Sequence, residues 1–166
     1  NQLLLREDPT RLPYINLFPI HAGEKLLGSK TYAEHVSRFI RIVKPAIVSW
    51  DHYALCEDGI HPEYFKNLEI VRQLCRKAGL PYMQIVMVTP HSHYPDPDEA
   101  ALRWQVFTSL AYGVRGISYF TYWTPRPWQG IGLERGGIIT PDGERTLHYD
   151  MVKRIKIQSQ VLTKWW

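Results

Sequence analysis

Strand-like and helix-like segments alternate four times along this chain, and that alternation limits the fold more than any single motif does. Apolar runs occupy residues 12–19, 46–51, 81–90 and 116–123, and each is followed by a polar loop and then by a segment with helical spacing. Thr31 with Glu34 three positions on makes a capping box, opening a helix over 32–43 whose stripe is Val36, Phe39, Ile40 and Val43. Lys44-Pro45 ends it. The second helix covers 63–78, with Tyr64, Leu68, Val71 and Cys75 on one face and Gly79 in the C-cap position. The third runs over 99–112, from an Asp98 cap to Gly113, with Trp104 among its core residues, and the fourth over 147–162. Strands that alternate with helices in this way build an α/β protein with a parallel sheet.

Composition narrows the class. The 166 residues suit one domain with a sizeable core. A net charge of +4, with no block of Lys or Arg, gives no reason to expect a nucleic-acid partner. No apolar run approaches the roughly 20 residues needed to cross a bilayer, so no membrane partner is expected. The first eight residues have no signal-peptide layout and read like the tail of a helix that began earlier, so a partial chain is expected. Two cysteines, Cys56 and Cys75, are too few for a disulfide framework and are expected as free thiols.

In a helix-covered parallel sheet, ligands bind beyond the carboxyl ends of the strands. The residues there are rich in His, Tyr and Trp: Pro19-Ile20-His21, His52-Tyr53, Pro90-His91-Ser92-His93 and Trp123-Thr124-Pro125. The residues before the strands, such as Lys44-Pro45 and Leu80-Pro81, are plain connectors. The stretch Val48-Ser49-Trp50-Asp51-His52-Tyr53 runs from an apolar strand straight into this polar and aromatic face. Because side chains alternate along a strand, Asn16, Ser49 with Asp51, and Gln84 are expected on one side. A buried Asp has to be paired or hydrogen-bonded, so Asp51 is either a structural acceptor or a ligand-contacting or catalytic carboxylate.

None of the strand-to-helix loops carries a GxGxxG or GxxxxGK[ST] pattern, so no nucleotide cofactor is expected. The chain also lacks a GxSxG elbow. His91 and His93 have a spacing that can hold a metal, but a lone pair of loop histidines equally suits solvent or sugar, and no metal is assigned. Aromatic residues make up 13% of the chain, and Trp and Tyr faces lie well against the C–H faces of sugar rings while Asp, Asn, His and Gln partner the hydroxyls. A carbohydrate ligand is therefore expected, contacted by Asn16, His21, Trp50, His52, Tyr53, Gln84, His91, Tyr122, Trp123 and Trp128. Tyr119 and Phe120 are read as filling space instead.

Val-Ser-Trp-Asp-His-Tyr at 48–53, Pro-Tyr-Met at 81–83 and Ala-Tyr-Gly-Val-Arg-Gly-Ile-Ser-Tyr-Phe-Thr-Tyr-Trp at 111–123 together resemble the C-terminal half of a clan A glycoside hydrolase barrel. The nearest pattern is that of the β-galactosidase family 42 and its bacterial relatives, and Glu134 with Gly136-Gly137-Ile138-Ile139 resembles the stretch after that family's last strand. The resemblance implies strands five to eight of a (β/α)8 barrel, with residues 1–166 forming a single half-barrel domain, since a whole barrel takes roughly 250 residues. It also implies β-linked sugars as substrates. The family's acid/base Glu follows strand four, which lies outside such a half, and its nucleophile ends strand seven, where this chain reads Ile85-Val86-Met87-Val88-Thr89. Asp51, with Glu134 second, is the remaining candidate for a catalytic carboxylate. Three roles stay open: a glycoside hydrolase or a half-barrel derived from one, a non-catalytic carbohydrate-binding barrel, and a structural half-domain. A half-barrel leaves open sheet edges, so a homodimer or pairing with a missing N-terminal half is expected.

Overall fold

In a computed structural model, residues 2–126 and 136–163 can be described. The sequence candidates Trp128 and Glu134, and the terminal Trp165 and Trp166, lie outside the described residues. The elements in chain order are α1 (Gln2–Glu7), β1 (Asn16–Leu17), α2 (Glu24–Leu27), α3 (Tyr32–Val43), β2 (Val48–Asp51), β3 (Leu55–Cys56), β4 (Gly59–Ile60), α4 (Tyr64–Ala78), β5 (Tyr82–Met87), α5 (Glu99–Ala111), β6 (Gly116–Phe120) and α6 (Leu147–Thr163). Four strands form one parallel sheet in the order β1-β2-β5-β6, and β3 and β4 form a separate antiparallel hairpin. The chain falls into two compact units. The first comprises Asn1–His52, Pro62–Ile85 and Leu110–Ile117, and the second comprises Tyr53–His61, Val86–Ser109 and Ser118–Trp166.

In the first unit, local chemistry sets the helix ends. The Thr31 hydroxyl accepts the Glu34 N–H at 3.2 Å, as the capping box requires, and starts α3. Gly79 closes α4 at φ 66°, a left-handed conformation that costs a glycine nothing. α3 and α4 pack together and bury Val36 and Tyr32 of the one, and Tyr64, Leu68, Val71 and Cys75 of the other. The strand register divides the sheet residues between two faces. Val48 pairs with Tyr82 and Trp50 with Gln84, and all four are buried. Asn16 pairs with Ser49, and Asp51 with Ile85, on the opposite face.

The second unit has its core in Val86, Met87, Val88, Leu102, Val106, Ile138, Ile139 and Ile155. Buried Gln105 on α5 binds the Met87 backbone in both directions, accepting its N–H and donating to its C=O at 3.1 Å each. Glu99 ties α5 to α6 through Arg103 and Arg154, with contacts of 2.7 Å to each guanidinium. Those hydrogen bonds, from Arg154 first and then Arg103, hold the Glu99 carboxyl down at about 2. Buried His148 bonds the carbonyls of Gly136 and Pro97 and so pins the segment that enters α6.

Cys56 and Cys75 are both free thiols. Burial pushes the Cys75 thiol up to about 12, which makes it an inert core residue. Among the described residues, no helix is long and apolar enough to cross a membrane.

Candidate functional site

The first unit places a row of polar side chains at the carboxyl ends of β1 and β2. Asp51 Oδ1 accepts a hydrogen bond from Asn16 Nδ2 at 2.6 Å, and Asn16 Oδ1 accepts one from the Ser49 hydroxyl at 2.9 Å. The carboxylate can only accept, so it fixes which end of the Asn16 amide faces it. A contact this short fits a charged acceptor. Ser49 is buried, Asp51 is half-buried and Asn16 is exposed, so the row leads from the sheet interior out to solvent. Sequence reasoning grouped Asn16, Ser49 and Asp51 on one face, and the register places them there.

Gln84 and Trp50 lie elsewhere. Both had been expected at the ligand face, but in-register pairing puts them together on the buried side that faces α4. Gln84 Nε2 donates to the Tyr64 hydroxyl on α4 and to the His52 carbonyl, both at 3.4 Å. The Trp50 ring lies 6.1 Å from that of Tyr82, and its buried Nε1 has no hydrogen-bond partner among the described residues. Gln84 falls out of phase because β5 pairs with β2 at Trp50↔Gln84, a register that counting along a single strand cannot reveal. Both residues act as packing and positioning groups behind the sheet.

His52, the first residue past β2, is buried between α4 and the loop after β1. Its Nδ1 lies 2.9 Å from Asn67 Oδ1, and the same oxygen accepts the Ile20 N–H at 2.8 Å. Asn67 Nδ2 in turn donates to the Tyr32 hydroxyl at 3.1 Å. The Ile20 amide can only donate, so it fixes the Asn67 carboxamide with its oxygen toward His52. His52 Nδ1 must then carry the proton. His21, exposed on the same loop, sets its ring against His52 edge-on at 4.9 Å, and the Tyr64 ring approaches His52 from another side at 5.3 Å. Tyr32 is pushed well above the usual phenol range, chiefly by burial and, in part, by the charge of Asp51. Sequence reasoning found His21 and His52 but missed Asn67. A polar residue on the buried stripe of α4, between Tyr64 and Leu68, was the available signal.

The second unit gathers a separate aromatic group. The Tyr53 ring meets His91 edge-on at 5.5 Å and Tyr94 at 5.2 Å, and it stacks on Phe120 at 5.8 Å. His91 Nδ1 lies 2.8 Å from the Thr89 carbonyl, which can only accept, so that nitrogen carries the ring proton. Tyr53 and His91, both expected as ligand contacts, are thus brought together with Tyr94 as an unforeseen third member. Phe120, expected to fill space, is half-buried and belongs to the same group. Beyond β6, Tyr122 and Trp123 stand 58% and 51% exposed, enough to present their ring faces to a ligand. His93 is exposed, and its ring lies tilted against that of Tyr94 at 4.2 Å.

Fold and site together define an α/β protein with a four-stranded parallel sheet and its polar and aromatic residues just past the strands. No protein-family model matches the chain, and no curated protein matches it.

Proposed function

We propose that the chain binds carbohydrate at the carboxyl ends of its strands, as a glycoside hydrolase-like protein. The row Ser49–Asn16–Asp51 carries this reading. It combines a carboxylate and a carboxamide that are held in place by each other and open to solvent on one side. Sugar hydroxyls both donate and accept, and an Asp–Asn pair answers both needs within one ring's width. Taken by itself, the second unit exposes Tyr122 and Trp123, faces of the kind on which a sugar's C–H surface packs. The preference for β-linked sugars rests on the family resemblance alone.

Binding without hydrolysis is the form of this reading that the residues support best. Retaining chemistry needs two carboxyl groups about 5 Å apart, and inverting chemistry needs them about 6.5–9.5 Å apart. Asp51, the last residue of β2, is the one carboxylate within the strands of the parallel sheet or the three residues after each of them, among the described residues. Met87, where the resemblance would have a nucleophile, is buried with its backbone clamped by Gln105. Glu134 remains the in-chain candidate for a second carboxyl. A panel of β-linked nitrophenyl glycosides separates the two forms: no release of nitrophenol is expected, and release that disappears in Asp51→Asn would establish the hydrolase instead.

A further inference from the structure

We propose that His21 and His52 form a two-histidine site for a divalent transition-metal ion of borderline softness, such as zinc or nickel. The inference goes beyond the carbohydrate reading and does not depend on it. A metal-binding histidine offers one neutral ring nitrogen while the other donates a hydrogen bond that fixes tautomer and orientation. His52 has that arrangement. The backbone amide of Ile20 fixes the Asn67 carboxamide, Asn67 Oδ1 takes the Nδ1 proton, and Nε2 is left as the nitrogen with the lone pair.

Three interactions hold Asn67 itself, the third being its donation to buried Tyr32. A surface histidine in chance contact with another has no such support behind it. His21 comes from the exposed loop one residue after Ile20, so the amide that orients Asn67 also anchors the chain that carries the second imidazole. Candidate ligand atoms of His21 and His52 lie within 4.8 Å of each other. Two nitrogens about 2.0–2.1 Å from one tetrahedral ion stand a little over 3 Å apart. Rotation of the exposed His21 side chain closes the difference without moving the buried one. Two neutral imidazoles suit zinc, nickel and copper better than magnesium or calcium, which prefer oxygen.

The test is calorimetric titration of the whole chain, purified in chelator and then freed of it, with zinc chloride at neutral pH. Cobalt absorption serves as a second readout. Saturable binding of one ion is expected, weakened at least about tenfold in His21→Ala, as for loss of a metal-site contact, and unchanged in His93→Ala. His52→Gln should lose binding as well. If that variant does not fold by circular dichroism, His21→Ala decides alone, because its side chain is exposed. Absence of saturable binding in the unmodified chain, or equal affinity in His21→Ala, overturns the proposal.

Discussion

Replacing Asn67 with alanine removes three hydrogen bonds at once from the interior of the first unit. The side chain is fully buried, and the change strips partners from the Ile20 amide, the His52 Nδ1 proton and the Tyr32 hydroxyl. A typical intramolecular hydrogen bond contributes about 1 kcal/mol net, while a donor left buried without a partner costs about 1–3 kcal/mol, so the variant should lose about 3–5 kcal/mol. That is a fifth or more of the roughly 5–15 kcal/mol that holds a domain together. In urea, with a slope of about 2 kcal/mol/M, the unfolding midpoint should fall by about 1.5–2.5 M. Tyr32→Phe removes one end of the same network, and the double variant should lose measurably less than the sum of the two single changes. A midpoint within about 0.5 M of the parent, or strict additivity with Tyr32→Phe, would refute the reasoning that this network locks α4 to the loop after β1.

Two further outcomes follow from the second unit's ion pairs and from the ends of the sheet. Glu99 has its folded-state pKa depressed to about 2 by Arg154 and Arg103, against an ordinary value near 4.5. Its stabilising contribution is therefore complete above about pH 4.5 and is lost as the pH falls toward 2. The thermal midpoint of Glu99→Gln should depend on pH less steeply than that of the parent across this window, and parallel curves would contradict the assignment. Among the described residues β1 and β6 end the sheet, and each has a strand neighbour on one side only, so a dimer or larger species is expected by light scattering at micromolar concentration, and a strictly monomeric mass would count against it.

Local signals made much of the architecture legible. The Thr31 capping box and the Lys44-Pro45 stop mark α3 at the residues where the structure has it, Tyr32–Val43. Gly79 ends α4 and Gly113 follows α5 with positive φ, as their places after apolar stripes suggest. β1 is shorter than its apolar run, only Asn16–Leu17. The β3–β4 hairpin falls in a segment whose sequence reads as loop. Its strands are two residues each, too short for alternation to register, although Glu57-Asp58-Gly59 is a turn signal in hindsight.

At the site, Asn16, Ser49 and Asp51 could be grouped because β1 and β2 pair with their polar residues in phase. Gln84 could not be placed, since its face depends on a register between strands 30 residues apart in sequence. Asn67 was hidden for a related reason. A lone amide on an apolar helix face acquires meaning only when the loop it receives is known.

Asp51 and its hydrogen-bonded row are proposed as the sugar-contacting part of the chain. Titration with short β-linked gluco- and galacto-oligosaccharides, followed by backbone amide chemical shifts, tests this proposal most directly. Saturable shifts are predicted at Asn16, Asp51 and their sequence neighbours, with affinity reduced by at least about tenfold in Asp51→Asn, in line with loss of one charge-assisted hydrogen bond of about 1.5–3 kcal/mol. No shift at these amides with any sugar of the panel, or full affinity retained in Asp51→Asn, would contradict it.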